Sequence, residues 1–429
     1  MVRSGIGLIT GKGVAMGLGF AYWLLAARLY PAEEVGIVGA AIAGVMLVSQ
    51  IGVFGLESAI VARYPEYEEQ RDVLFNTTFT LVGVAALAVA GASAAIAVAI
   101  DGDLAGVVQD VNLFAMYLGM SIVAGAGIVL DQASMALRRG DQVVSRNATN
   151  GILSIVPLLA MWLATAAGRG GAPALFGSWV FGATAGLALG VWQLTRLEPA
   201  YLYRPQLKRM IATPLIKTGL PNHLLTLTER VPILVLPLLV TERISPQANA
   251  YWYAVWMVAW ATLVIARSMA FALFAEASRR GADLVTDVLK AIRGSLLLGG
   301  PAAAVTVVAA PWVLGLLGPD YADAGTAPLR ILVLSFAPYS IIMTYFALCR
   351  GTDKLVEATI FGGLLAAATV AAATIATDHG LARVALAWLI MVTVFGVVAG
   401  FRLYAMVGRK RDDPVDTGPG GSKRRSNAS

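Results

Sequence analysis

Cys349 is the chain's one cysteine, so neither an internal disulfide nor a thiolate metal site can be built. Charged residues are also scarce, at 14% of 429 positions, against 58% hydrophobic residues. That is too little polar surface to coat a soluble globule of this size, and the chain reads as an all-α integral membrane protein. It lacks a phosphate-binding loop, which removes the usual sign of ATP use. No cofactor, metal or nucleic-acid partner is expected, and no enzyme activity.

A hydrocarbon core of about 30 Å takes roughly 20 apolar residues per helix. Runs of that kind recur at 5–27, 36–61, 73–99, 111–135, 148–167, 172–195, 212–240, 249–275, 287–317, 326–348, 356–377 and 382–406, giving about twelve spans. The first is read as a retained helix, because it is long, is interrupted by Lys12 and lacks a small-residue cleavage site. Gly299, Gly300 and Pro301 mark a candidate kink in the ninth.

Loop charges set the expected orientation. Four basic residues, Lys12, Lys217, Arg230 and Arg267, are set aside as lying deep within spans. The loops and adjoining span ends of one side hold only Arg28, Arg169, Arg243, Arg330 and Arg383, and the remaining 23 of the 32 lie on the other. The positive-inside rule then places both termini in the cytoplasm.

Two segments repeat at a distance of 211 residues: Ala136-Leu137-Arg138-Arg139-Gly140-Asp141-Gln142 and Ala347-Leu348-Cys349-Arg350-Gly351-Thr352-Asp353. Six spans per half keep one orientation, so the halves should be parallel repeats with a cavity between them. The expected organisation is a six-helix bundle over 1–195, a cytoplasmic linker over 196–211, a second bundle over 212–407, and a basic cytoplasmic tail over 408–429 whose Gly, Pro and Ser content predicts disorder.

The opening Gly5-Ile6-Gly7-Leu8-Ile9-Thr10-Gly11-Lys12-Gly13, the turn Ala27-Arg28-Leu29-Tyr30-Pro31-Ala32-Glu33-Glu34-Val35-Gly36, the stretch Leu317-Gly318-Pro319-Asp320-Tyr321-Ala322-Asp323-Ala324 and the Arg350-Gly351 exit carry a resemblance. Up to about Arg409 the chain resembles the superfamily of multidrug, oligosaccharidyl-lipid and polysaccharide exporters, in its polysaccharide or oligosaccharide flippase branch. The resemblance implies two six-helix bundles around a central cavity that opens alternately to either side. It also implies a flippase for a polyprenyl-(di)phosphate-linked oligosaccharide in the cytoplasmic (inner) membrane. Membrane lipids, and a polymerase or glycosyltransferases of the same route, would be its partners. The rival readings are a multidrug or metabolite cation antiporter of the same superfamily and a membrane polysaccharide polymerase, ligase or lipid-linked glycosyltransferase.

A charge at mid-span costs about 2.5–3.5 kcal/mol on insertion scales, so those retained there are candidates for a pathway. Arg230 and Arg267, assisted by Lys12, are the expected head-group ligands, since a guanidinium fork matches phosphate oxygens. Lys12 can equally snorkel to the interface, and for Lys217 that is the favoured reading. Glu229 points about 100° away from Arg230 on a helix. It either neutralises a cation from the first or eighth span or titrates during transport. His223 is either a proton-responsive group or a packed, hydrogen-bonded histidine. Glu57 and Asp131 read as interfacial or latch residues, with Glu57 also a candidate for charge balance. Trp256 and Trp260 share a face at i, i+4 and could stack on sugar or line a lateral gate. The segment from Pro214 to Val240, with Pro221, Pro232 and Pro237 inside it, is expected to be bent or broken.

Overall fold

The computed structural model describes residues 2–137, 139–164, 171–197, 201–277, 284–352 and 354–412; side chains at 2–15, 68, 197, 275–277 and 408–412 lie outside that description. Among the described residues the regular structure is helical throughout. The helices are α1 (Val2–Leu29), α2 (Ala32–Gly52), α3 (Leu56–Arg63), α4 (Arg71–Ile100), α5 (Ala105–Gln109), α6 (Val111–Ala136), α7 (Gly140–Ala164), α8 (Gly171–Leu197), α9 (Arg209–Arg243), α10 (Pro246–Ala277), α11 (Leu284–Gly315), α12 (Pro319–Leu334), α13 (Phe336–Gly351), α14 (Leu355–Ala376) and α15 (Leu381–Asp412). Ten are long and apolar enough to cross a membrane, and α12 with α13, bent by 46° at Ser335, makes an eleventh if the pair is counted as one span. Helix α1, whose described apolar part is the shorter Met16–Leu29, occupies the place of the first of the twelve expected spans.

Both halves pack by one scheme. In the first, α1 lies on α7, α7 on α8, α8 on α6, and α6 on α2 and α4. In the second, α9 lies on α14, α14 on α15, α15 on α12 and α13, and these on α10 and α11. Successive spans alternate in direction, so the two ends of the chain share one side, called here the terminus side.

Two spans read as continuous are interrupted. After Gly52 the backbone turns through Phe54 and Gly55, both at positive φ (48° and 79°), and α3 restarts the second span. The tenth bends where Ser335, which donates to the Leu332 carbonyl oxygen at 2.6 Å, ends α12. Helix α11 continues through the candidate kink at Gly299, Gly300 and Pro301, and α9 runs without a break through Pro214, Pro221, Pro232 and Pro237. Each proline removes one amide donor, but α9 packs against α2, α3, α10 and α14, which hold it helical.

The halves meet through α2 with α9 and α10, and through α3 with α9. On the side opposite the termini, a Cβ on Gly36 would lie 1.7 Å from the Pro246 carbonyl oxygen, so only glycine lets α2 and α10 approach there. Asn249 donates to the Gly36 carbonyl oxygen at 2.8 Å, and the Leu104 amide donates to Glu242 at 2.7 Å.

The linker is not a loose connection. Residues 201–208 run along α4, where Asn76 receives the Arg204 amide at 3.1 Å and Thr80 that of Gln206 at 3.0 Å. Ile211 and Leu215, in the first turns of α9, are then buried in a core cluster with Leu56, Phe75 and Leu130 of the first half. Helix α9 therefore starts in one bundle and ends in the other. At the chain's end, α15 carries helix to Asp412, past the expected start of the tail, and 413–429 lie outside the described residues.

Candidate functional site

A cavity of about 570 Å³ lies between the halves. Its walls come from Phe20 and Trp23 of α1, Met46 of α2, Arg230 and Pro237 of α9, and Trp256 and Trp260 of α10. Among the described residues that line it, Arg230 is the one charged side chain, and no carboxylate reaches the wall. Its Nε is buried without a protein hydrogen-bond partner. A buried guanidinium donor with nothing to bind is costly unless a ligand satisfies it.

The aromatic face expected from Trp256 and Trp260 turns inward, and both line the cavity. Trp256 is held edge-on to Trp388 with ring centroids 4.9 Å apart, and Trp388 in turn donates to Ser335 at 3.2 Å. Trp23 and Tyr253 bring α1 and α10 together at 4.5 Å between centroids. Arg28, at the end of α1, donates to the carbonyl oxygens of Leu316 at 2.7 Å and Gly315 at 3.2 Å. Met16 and Gly19 of α1 and Trp260 and Ala261 of α10 continue the cavity walls toward the terminus side.

Arg267 is not on the wall of this cavity. The 100° between Glu229 and Arg230 sends Arg230 to the cavity and Glu229 between α10 and α13. There Glu229, with 3% of its side chain exposed, accepts from Arg267 at 2.9 Å and from Arg350 at 2.6 Å. Arg350 also donates to Asn222 at 3.0 Å, and the Arg267 guanidinium lies 5.4 Å from the centre of the Phe271 ring. Of the two readings of Glu229, the geometry matches charge neutralisation. Arg267, expected as a free head-group ligand, already has its carboxylate in this conformation.

The sequence reading missed Arg350, which looked like a basic residue placed at a span exit for topology. Its place in the repeated exit segment was the available signal. Lys12 lies in α1, but its side chain is outside the described residues. Lys217 is exposed. Asp131 forms an ion pair with Arg146 of α7, so the first half has its own charge pair near the terminus side. His223 and Glu57, read separately, meet at 2.9 Å across the seam between α9 and α3.

A sequence profile described as "Polysaccharide biosynthesis protein" matches residues 25–325. The chain belongs to that family. Its fold is that of the MOP superfamily. An inward-facing multidrug resistance MATE family transporter of that superfamily superposes with a TM-score of 0.76 at 17% identity, over 95% of this chain and 100% of the other. An outward-facing one gives 0.66 at 16%, over 96% of each. A MOP superfamily transporter from Pyrococcus furiosus Vc1 (DSM3638), described as having a binding pocket of reverse polarity that suggests a different function, gives 0.68 at 16%, over 96% of each. Among curated proteins none matches the sequence. In this family member, then, a MOP-type transporter fold holds a cavity whose charge is cationic.

Proposed function

We propose that this multi-pass membrane protein is a flippase. It carries a polyprenyl-(di)phosphate-linked oligosaccharide from the cytoplasmic to the outer leaflet of the cytoplasmic membrane by alternating access, for assembly of a surface polysaccharide. The observation that carries the reading is Arg230. Its Nε has no protein partner, and it stands in a cavity wall without a carboxylate, among indole and thioether side chains. Phosphate oxygens would satisfy the guanidinium, the Trp256 and Trp260 rings offer flat apolar surfaces to sugar faces, and the apolar walls suit a substrate that keeps its tail in lipid. A cation antiporter needs the opposite charge on that wall. The transporter fold favours movement of the substrate over chemistry on it. Lys12 is kept as an assisting ligand, and Arg267 as a reserve cation that becomes available only if Glu229 releases it. A polymerase or glycosyltransferases acting on the same lipid-linked sugar are the expected partners.

The terminus side is assigned to the cytoplasm. In cells depleted of the protein, the lipid-linked oligosaccharide should accumulate in a form closed to a membrane-impermeant glycosidase added outside. Single cysteines in a Cys349→Ser background should be labelled from outside at position 104, but at 206 only after permeabilisation. Unchanged outer-leaflet lipid-linked sugar in depleted cells would sink the flippase reading.

A further inference from the structure

We propose that Glu57 and His223 form a one-proton site that sets the seam between α3 and α9, binding a proton when the seam shuts and releasing it when the seam parts. This does not depend on what the cavity carries.

The two residues come from different halves of the repeat. His223 Nδ1 and Glu57 Oε1 are 2.9 Å apart, with 1% of the histidine side chain and 15% of the glutamate exposed. The outer atoms, His223 Nε2 and Glu57 Oε2, are buried without partners. One turn away the backbones touch: a Cβ on Gly219 would lie 2.0 Å from the Gly55 carbonyl oxygen, so no side chain stands between α3 and α9. Pro221, between Gly219 and His223, removes one helical bond from α9 at the same level.

The charge on the pair follows from its surroundings. An imidazolium facing a carboxylate and an imidazole facing a carboxylic acid hold the same single proton and are neutral overall. A neutral imidazole donating to a carboxylate fits the same distance but leaves a lone buried anion, which is costly without a cation beside it. The neighbouring cations are already committed. Arg63 of α3 binds Glu66 at 2.6 Å, and Arg350 of α13 and Arg267 of α10 share Glu229. Of the remaining neighbours, α6 brings Asp131, paired with Arg146, and α14 brings Glu357, paired with Arg402. Helix α4 brings Asp72 and Arg71, whose guanidinium lies over the Tyr64 ring. Lys217 of α9 is exposed, and the segment between α3 and α4 ends in the exposed Glu69 and Gln70. Helix α2 has no charged residue between Val35 and Gly52, and its Glu33 and Glu34, like Asp378 and His379 beside α9, lie at the opposite end of the molecule.

Parting the seam puts both groups in water, where an imidazole loses its proton near pH about 6.5 and a carboxyl group near about 4.3. Above about pH 6.5 the open seam therefore holds one proton fewer than the closed one. The closed form is favoured as pH falls, by up to about tenfold per pH unit, and the dependence flattens below about 6.5, where both forms hold one proton.

The test places spin labels at Val61→Cys and Lys217→Cys, both exposed, in full-length Cys349→Ser protein in lipid nanodiscs. The distance distribution is measured from about pH 5.5 to about 8.5, either side of the imidazole value. A longer-distance population should grow above about pH 6.5, by up to about tenfold relative to the short one per pH unit. Glu57→Gln, which keeps a hydrogen-bonding partner for His223 but no anion, should remove the growth of the longer-distance population above about pH 6.5 and reverse the trend below it, where only the open seam admits an imidazolium. A single distance across the range in the parent protein, or an unchanged pH response in Glu57→Gln, overturns the proposal. Should Glu57→Gln fail to insert, a His379→Gln protein with nitrogen-15 histidine isolates the His223 signal, since the chain has two histidines. Its ring shifts must move over the same pH range as the distances, and invariant shifts overturn the proposal as well.

Discussion

Arg230→Ala is expected to abolish export of the lipid-linked sugar while leaving the amount of inserted protein close to that of the parent. The guanidinium lines the cavity and its Nε has no protein partner, so its removal takes away a ligand and breaks no hydrogen bond at that atom. A charge-assisted contact to phosphate is worth about 1.5–3 kcal/mol, or roughly 10- to 100-fold in affinity. Arg230→Lys keeps the charge but loses the planar fork, and should retain an intermediate rate. Surface polysaccharide, quantified against protein in the membrane fraction, checks the series. Normal export by Arg230→Ala would remove this residue from the pathway.

Glu229→Ala should act on the fold itself. Its carboxylate is buried and holds both Arg267 and Arg350, so the substitution leaves two guanidinium groups without their counter-charge beside Arg230. Removing one partner of a buried pair costs about 3–5 kcal/mol, comparable with the whole stability of many domains at about 5–15 kcal/mol. Little correctly inserted protein is expected, and what remains should melt at lower temperature in detergent. Adding Arg267→Met, which takes away one of the stranded cations, should recover part of the loss. A Glu229→Ala protein that melts like the parent would show that the cluster adds nothing to stability.

These two neighbours illustrate what a sequence makes legible. Their separation of about 100° was available from helical geometry alone, but which of them faces the cavity depended on where α10 and α13 pack. Arg350 stayed hidden for the same reason: a basic residue at a span exit looks alike whether it meets water or a buried carboxylate 2.6 Å away. The spans themselves were readable because a hydrocarbon core imposes a length on every crossing. Hydropathy does not register a backbone turn made of apolar residues, so the break through Phe54 and Gly55 went unseen. The prolines of α9 left open either a bend or a break, and there is no break, because the packing of α9 against both halves keeps it helical. The pairing of Glu57 with His223 joins residues 166 positions apart, beyond any local pattern.

The most direct test of the central claim, that the Arg230 cavity carries an anionic lipid-linked sugar, is flipping in vesicles. Purified protein is reconstituted with a fluorescent polyprenyl-diphosphate oligosaccharide, and a membrane-impermeant quencher reports the fraction exposed outside over time. The account predicts exchange between leaflets faster than in protein-free vesicles, and a return to the protein-free rate with Arg230→Ala. Exchange no faster than in protein-free vesicles, with the same preparation moving a fluorescent organic cation, would contradict it.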